Sequence, residues 1–217
     1  LGNGVDYTFL YQQDQHLNDN ELEEITAFAA RLHQSINVNT TQEKLPNRKM
    51  RKLNHEHIFI FPYLEDNGLN LDDVLPGLQE VAESFKKDKR LKNAVDQLGQ
   101  RYLKDGNMLL HGDYFPGSWL KTEDGIIIID PEFCFFGEVE FEIGVMLAHL
   151  KMANQPEGML EKALNIYKQI SSIDEALCQK FMAIEIIRRM LGLAQLPLSS
   201  NLEERKALLE ESRKILV

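Results

Sequence analysis

Two aspartates in the middle of the chain, Asp113 and Asp130, have the type and setting that chemistry needs. Each follows a short apolar run, Met108–Leu110 before the first and Ile126–Ile129 before the second, and Glu123-Asp124-Gly125 reads as a turn between them. A hairpin lays such runs side by side, so both carboxylates can reach one edge of a cleft. Glu132 stands two residues beyond Asp130, on the same side if the chain stays extended through Pro131. Three acids converging there would repel one another unless a cation joined them, and hard oxygen donors in that number suit Mg²⁺ with bound phosphates. Asp also caps turns after strands as a matter of course. Against two such caps stands their company: His111, Gly112, Gly117 and Ser118 at fixed spacing make a motif longer than chance supplies. His111 itself reads as a scaffold residue fixing the loop, with general acid–base work as the alternative.

A second constellation lies near the end of the chain. From Phe181 to Ala194 almost every residue is apolar, which predicts a helix buried on most sides. Glu185, Arg188, Arg189 and Gly192 interrupt it at i, i+3, i+4 and i+7 as one narrow stripe. That stripe either faces solvent, with a Glu185–Arg189 pair worth about 0.3–0.5 kcal/mol, or lines a cleft. Phe135 and Phe136 could stack on a ligand, but adjacent aromatics after such a loop are more often core, and Trp119 reads as core too.

The elements that must position these residues are mostly helical. Asn18 and Asn20 offer caps with Glu21 and Glu23 three residues on, and Leu22, Ile25, Phe28, Ala29 and Leu32 continue at helical spacing to about His33. Tyr7–Tyr11 is a strand or a connector, and 35–52 is a polar, basic loop by composition. His57–Phe61 is β-prone and stops at Pro62, which predicts a strand. One amphipathic helix is expected near 71–87 and another from Asp88, carrying Leu91, Val95, Leu98 and Tyr102. After the central β segment come helices at 141–153, 158–171, 174–195 and 200–216. The fold class is therefore α+β, mostly helical, with a small central β-hairpin insert.

Bulk properties bound the function. With 43% apolar and 27% charged residues over 217 positions, the sequence can bury a proper core. A net charge of −10 argues against non-specific binding to nucleic acid or anionic membranes. No apolar run approaches the ~18 residues of a membrane span. Cys134 and Cys178 lack metal-ligand spacing and read as reduced thiols of a cytoplasmic protein.

The order His111-Gly112-Asp113, Gly117-Ser118, Asp130 is similar to the catalytic and metal-binding segments of the aminoglycoside phosphotransferase and choline kinase family. The usual form has Asn where this chain has Ser118. Ser at that place, followed by Asp130-Pro131-Glu132-Phe133, Phe135 or Phe136, and Gly137, resembles the methylthioribose kinase branch, as do His57–Tyr63 and Arg188-Arg189 with Gly192, Leu193 and Ala194. The likeness is patchy before residue 50 and strong over 108–144. It implies a protein-kinase-like carboxy-terminal lobe over 19–217, with 1–18 as the hinge or the remnant of a connection to an amino-terminal lobe. It implies transfer of the γ-phosphoryl group of ATP, with Mg²⁺, to a small-molecule hydroxyl, most nearly that of a methylthioribose-type sugar. Asp113 would be the catalytic base, Asp130 and Glu132 the metal ligands with Ser118 as a weaker one, and Arg188 and Arg189 would line the cleft and meet substrate. His111, Gly112 and Gly117 would support the catalytic loop, and a homodimer is implied by the resemblance alone.

Other readings stay open. A phosphate-covering loop and a strand-borne lysine are not found, Gly2-x-Gly4 being too short, while Arg31-Leu32-His33 resembles the segment just after the hinge. The isolated chain is expected to be nearly inert. Gln195 stands where the sugar branch has His, Glu142 where many relatives have Asp, and Tyr114-Phe115-Pro116 departs within the loop. These leave a kinase of another small alcohol or aminoglycoside-like substrate, or a non-catalytic binding lobe. A metallohydrolase built on His111, Asp113 and Asp130 lacks the further His ligands such sites carry.

Overall fold

The computed structural model describes residues 4–36 and 45–217. Residues 1–3, Gly2 among them, and 37–44 of the stretch 35–52 thus lie outside the described residues. In chain order the elements are β1 (Val5–Asp6), α1 (Asp19–Ser35), α2 (Arg48–His55), α3 (Leu78–Lys86), α4 (Lys89–Tyr102), β2 (Met108–Leu110), β3 (Trp119–Thr122), β4 (Gly125–Ile128), β5 (Phe135–Gly137), α5 (Val139–Met152), α6 (Met159–Lys168), α7 (Glu175–Leu191) and α8 (Leu202–Leu216).

The helices α5 and α7 sit at the centre because both are apolar over most of their surface, the Glu185, Arg188 and Arg189 stripe of α7 being buried with the rest. Every residue from Phe181 to Leu191 is buried, and α5 buries all but Glu140 and Lys151. Helices apolar over most of their circumference belong in the interior. They pack on each other closely, and Gly144 permits it: a Cβ there would lie 2.8 Å from the Cys178 carbonyl oxygen. Around this pair, α8 packs on α7 and α1 packs on α6. The first helix begins as its caps predict, with Asn18 Oδ1 accepting from the Glu21 amide at 3.0 Å and the Glu21 carboxylate accepting from the Asn18 amide at 2.9 Å. Asp88 caps α4 without a reciprocal partner, its carboxylate accepting from the Arg90 and Leu91 amides.

The β segment is two small sheets rather than one hairpin. β3 and β4 form the expected hairpin around Glu123–Asp124, with β1 added on the far edge of β3, Val5 opposite Lys121. β2 pairs instead with β5, Met108 opposite Gly137 and Leu110 opposite Phe135. Tyr7–Tyr11 is a 3₁₀ turn rather than a strand, with Tyr7, Leu10 and Tyr11 buried, so the segment before α1 is packed into the domain.

Three sequence expectations are corrected. His57–Phe61 is not a strand: α2 runs straight into a π-helical turn at Glu56–Ile60 and a 3₁₀ turn at Phe61–Tyr63. Residues 48–52 are helix, not loop. The single helix expected over 71–87 is a 3₁₀ turn at Leu71–Asp73 followed by α3, entered through Gly77 in the left-handed region. Trp119, Phe135 and Phe136 are core residues, as expected of them. Among the described residues no helix is long and apolar enough to cross a membrane.

Candidate active site

Strand β2 delivers the chain to His111-Gly112-Asp113, and the turn is built tightly against the segment that precedes β5. Gly112 has φ 86°, where L side chains are strained, and a Cβ would come within 2.2 Å of the Phe133 carbonyl oxygen. The loop is then held from below. Glu142 on α5, fully buried, accepts the backbone amides of His111 (3.1 Å) and Gly112 (2.7 Å), and His33 Nε2 (2.8 Å). His33 Nδ1 meets the Tyr167 hydroxyl at 2.7 Å. Burial by itself would raise the Glu142 carboxyl, but His33 and the loop amides more than reverse it and hold it below its ordinary value. Further ties fix the loop laterally. Tyr114, buried, donates to the Ile25 carbonyl (2.8 Å), and the Ser118 hydroxyl donates to the Asp113 carbonyl (2.7 Å). His111 Nε2 donates to the Ile129 carbonyl (2.8 Å), which also assigns its proton, since a carbonyl only accepts. Through His111 and the Ile129 amide, which donates to the Ser118 carbonyl (3.0 Å), the Asp113 and Asp130 loops are joined.

The arginine stripe lies beneath Asp113, not in solvent. Arg188 and Arg189 are each 6% exposed and Glu185 is 1% exposed. Glu185 takes Arg188 Nη1 on both oxygens (2.9 and 3.0 Å) and Arg189 Nε on Oε1 (2.6 Å). A histidine stands behind it too: His149 Nε2 lies 3.1 Å from Glu185 Oε1, and His149 Nδ1 lies 2.5 Å from the Tyr11 hydroxyl. The pair expected from the sequence is therefore formed, but in a buried network. Burial would raise the Glu185 carboxyl, and the two guanidinium groups overturn that and hold it far below the ordinary range. His149 is pulled down to about 4 by burial, the neighbouring arginines adding to it against Glu185.

Arg189 then reaches outward. Its Nη2 is 3.7 Å from Asp113 Oδ1, and its guanidinium lies over the Phe115 ring at 4.7 Å. At that separation the arginine biases the carboxylate without consuming its acceptor positions in a hydrogen bond. The Asp113 side chain is 25% exposed. Burial raises its carboxyl above the ordinary value, although Arg189 and Arg188 pull the other way. A carboxylate of raised basicity, held from behind and open in front, can accept a proton from a hydroxyl.

On the other side, Asp130 adopts the left-handed region (φ 60°) and opens the 3₁₀ turn Pro131–Phe133. Such a conformation is uncommon for a non-glycine residue, Asp and Asn bearing it best. Asp130 and Glu132 are both exposed. The convergence of three acids is corrected here: among the described residues no group of three or more His, Cys, Asp or Glu side chains is placed to hold a metal ion. One reason is that β2 pairs with β5 rather than β4, so the Asp113 and Asp130 runs are not neighbours in a hairpin. The two exposed carboxylates are nevertheless hard oxygen donors of the type that Mg²⁺ takes together with phosphate.

Sequence reasoning missed the supporting residues His33, His149, Tyr11 and Tyr167, and noted Glu142 only as a departure. One signal was present: Glu142 and His149 interrupt an otherwise apolar helix, and charged or polar groups are buried only when paired.

Comparison with known proteins agrees with this architecture. The chain is 25% identical to a methylthioribose kinase of Geobacillus thermodenitrificans over 78% of its own length and 50% of that protein's. It is 38% identical to a methylthioribose kinase of Yersinia pestis over 48% of its own length and 25% of that protein's. The chain thus spans half or less of the relatives it matches. A glucosamine kinase structure superposes over 99% of this chain and 58% of its own with a TM-score of 0.53 at 12% identity, which speaks for the protein-kinase-like phosphotransferase fold. The sequence model of the phosphotransferase enzyme family, the aminoglycoside phosphotransferases, matches residues 4–174, and with loops, helices and fold in agreement the chain belongs to that family.

Proposed function

We propose that this chain carries the acceptor and metal side of an ATP- and Mg²⁺-dependent kinase acting on a small-molecule hydroxyl, with a methylthioribose-type sugar as the leading acceptor. The observation that carries the reading is the state of Asp113: raised basicity, one open face, and a buried guanidinium 3.7 Å away. In this reading Asp113 orients the acceptor hydroxyl and takes its proton as the oxygen attacks the γ-phosphorus. Arg189 steadies the charge that builds at the transferring group, and Arg188, held like it by Glu185, is the second cation on the acceptor side. Asp130 and Glu132 would hold Mg²⁺, which neutralises phosphate charge when bound, while Ser118 spends its hydroxyl bracing the Asp113 loop and is at most a weaker ligand. In the same reading, 1–18 would be the hinge or the remnant of a connection to the nucleotide-covering part that the reaction requires.

The sugar assignment draws on the two methylthioribose kinase relatives. One observation favours a second acceptor within the same chemistry. Gln195, where the sugar branch has His, spends its amide on the Met190 (3.2 Å) and Gly192 (2.7 Å) carbonyls at the end of α7. A side chain so engaged does not offer a donor to the acceptor, so an alcohol of different shape is the alternative.

The test is phosphoryl transfer by the longest polypeptide that carries this segment, across a panel of sugars and amino alcohols, with Asp113→Asn as the control. That substitution should lower turnover by about 10²–10⁴, the usual contribution of a general base, with little change in acceptor binding. A variant within about threefold of the parent, under 1 kcal/mol in the barrier, rules Asp113 out as the base.

A further inference from the structure

The helix α2 has no place in the motifs above, yet one face of it touches both chemistry-bearing loops. Asn47, Arg51 and Asn54 are spaced i, i+4 and i+7, two turns of one face. Asn47 is the N-cap residue, the position at which an Asn side chain ordinarily caps its own helix. Here it makes no such bond: its Nδ2 donates across to the carbonyls of Glu132 (2.7 Å) and Cys134 (3.0 Å), and its backbone sits at φ 36° in the left-handed region. Two turns on, Asn54 Nδ2 donates to the Gly112 carbonyl (3.3 Å), and Asn54 Oδ1 accepts from Arg188 Nη2 (3.4 Å). Between them Arg51, buried, donates to the carbonyls of Tyr102 (2.7 Å) and Lys104 (2.8 Å), and its guanidinium lies 4.5 Å from the Phe135 ring.

We propose that α2 is a positioning helix that sets the spacing between the two loops, Asn47 fixing the Asp130–Glu132 turn and Asn54 fixing the Asp113 loop together with Arg188. Neither asparagine touches reacting atoms: Asn54 holds the backbone carbonyl of the residue before Asp113, and Asn47 holds the backbone carbonyls of Glu132 and Cys134. The registration is rigid because Arg51 clamps the helix to the end of α4 between the two contacts. Its consequence for phosphoryl transfer rests on the kinase reading, whereas the registration itself does not.

Cys134 supplies a readout independent of activity. Its carbonyl is one of the two that Asn47 holds, its thiol is half-buried, and Cys178 is fully buried. Alkylation of the native chain by iodoacetamide, followed site by site in the mass spectrometer, therefore reports the position of this loop. Asn47→Gly keeps the left-handed backbone and removes the donor, and Asn47→Asp does the same with a carboxylate. Both should speed Cys134 alkylation by about five- to tenfold, the shift that losing one or two hydrogen bonds permits, with the melting temperature lowered by only about 2–6 °C. Rates within twofold of the parent in both variants overturn the proposal. In the polypeptide that transfers phosphoryl groups, Asn47→Gly should raise the Mg²⁺ concentration for half-maximal rate severalfold and leave kcat at saturating Mg²⁺ near the parent value. A parent that transfers no phosphoryl group to any acceptor removes the kinase reading and leaves the alkylation result to decide the positioning role.

Discussion

Glu142 on α5 and Glu185 on α7 stand in matching surroundings. Each carboxylate meets the Nε2 of a buried histidine, and the Nδ1 of each histidine meets a tyrosine hydroxyl: Tyr167–His33–Glu142 on one side, Tyr11–His149–Glu185 on the other. Beyond that shared triad the partners differ. Glu142 spends its remaining capacity on two backbone amides, so it fixes the shape of the Asp113 loop. Glu185 spends its capacity on two guanidinium groups, so it fixes charge beneath the same aspartate. One triad therefore sets where Asp113 is and the other sets the field in which it ionises. The division matters energetically, because an amide left without its acceptor is a neutral loss while an arginine left without its carboxylate is a buried charge.

The largest contrast should come from removing each charge at constant size. Glu185→Gln leaves two arginines buried with half their compensation, a situation that costs about 3–5 kcal/mol. For a chain of this size that lowers the melting temperature by roughly 6–20 °C. Glu142→Gln still offers one carbonyl oxygen to the loop and loses charge assistance worth about 1.5–3 kcal/mol. Thermal melts of both variants decide the matter: equal losses, or a larger loss at Glu142, would break the distinction between shaping and charging.

The second contrast is in pH. His149 titrates near 4 in the fold against 6.5 in the unfolded chain, so between those values the unfolded chain binds more protons. The stability that neutral His149 contributes is fully present above 6.5 and is lost as pH falls towards 4, on the order of 3 kcal/mol in all. Glu185, held below the ordinary carboxylate range, keeps its own contribution until the pH falls further still. Denaturant titrations between pH 7.5 and 4.5 should show the slope in the parent, and His149→Gln, which keeps a donor and an acceptor without the titration, should flatten it. A parent curve that is level over this window contradicts a buried neutral His149.

How much of this was legible depended on whether burial followed hydrophobicity. The Asn18–Glu21 box, the Asp88 cap and the apolar course of α5 and α7 announce themselves, because local propensity and tertiary burial agree there. So do Asp113 and the Glu185–Arg188–Arg189 stripe, although not which side of the helix is covered. The stretch 48–63 fails for the opposite reason. Its buried positions are Arg51, Asn54, His55, Ile58, Phe59, Pro62 and Tyr63, a clean helical series, but the first three are polar and hide it, leaving only β-prone HIFIF in view. Those polar positions are the ones that reach across to other segments, and such pairing is long-range information. The β2–β5 pairing was hidden likewise: three-residue strands carry almost no pattern, and the nearer hairpin competes for the same runs.

The smallest effect gives the sharpest comparison. Tyr11→Phe and Tyr167→Phe each delete one hydroxyl from equivalent places, and each leaves a buried histidine nitrogen without its partner. On stability the two should be alike, about 0.5–1.5 kcal/mol apiece, since the lost bonds are of one kind. On activity they should part. Loss of the Tyr11 bond loosens His149 and with it the Glu185–Arg189 pair, so the field at Asp113 changes and the acid limb of kcat/KM should move. Loss of the Tyr167 bond loosens His33 and the amides that Glu142 holds, which alters where Asp113 points and should lower kcat with the acid limb in place. Both shifts are expected to be small, about two- to fivefold in rate, because each bond lies two partners away from the carboxylate and a net hydrogen bond is worth about one factor of five. The decisive quantity is thus the pH profile of the two variants beside their matched melting temperatures. Should the acid limb move for Tyr167→Phe and stay for Tyr11→Phe, the roles assigned to the two glutamates are exchanged.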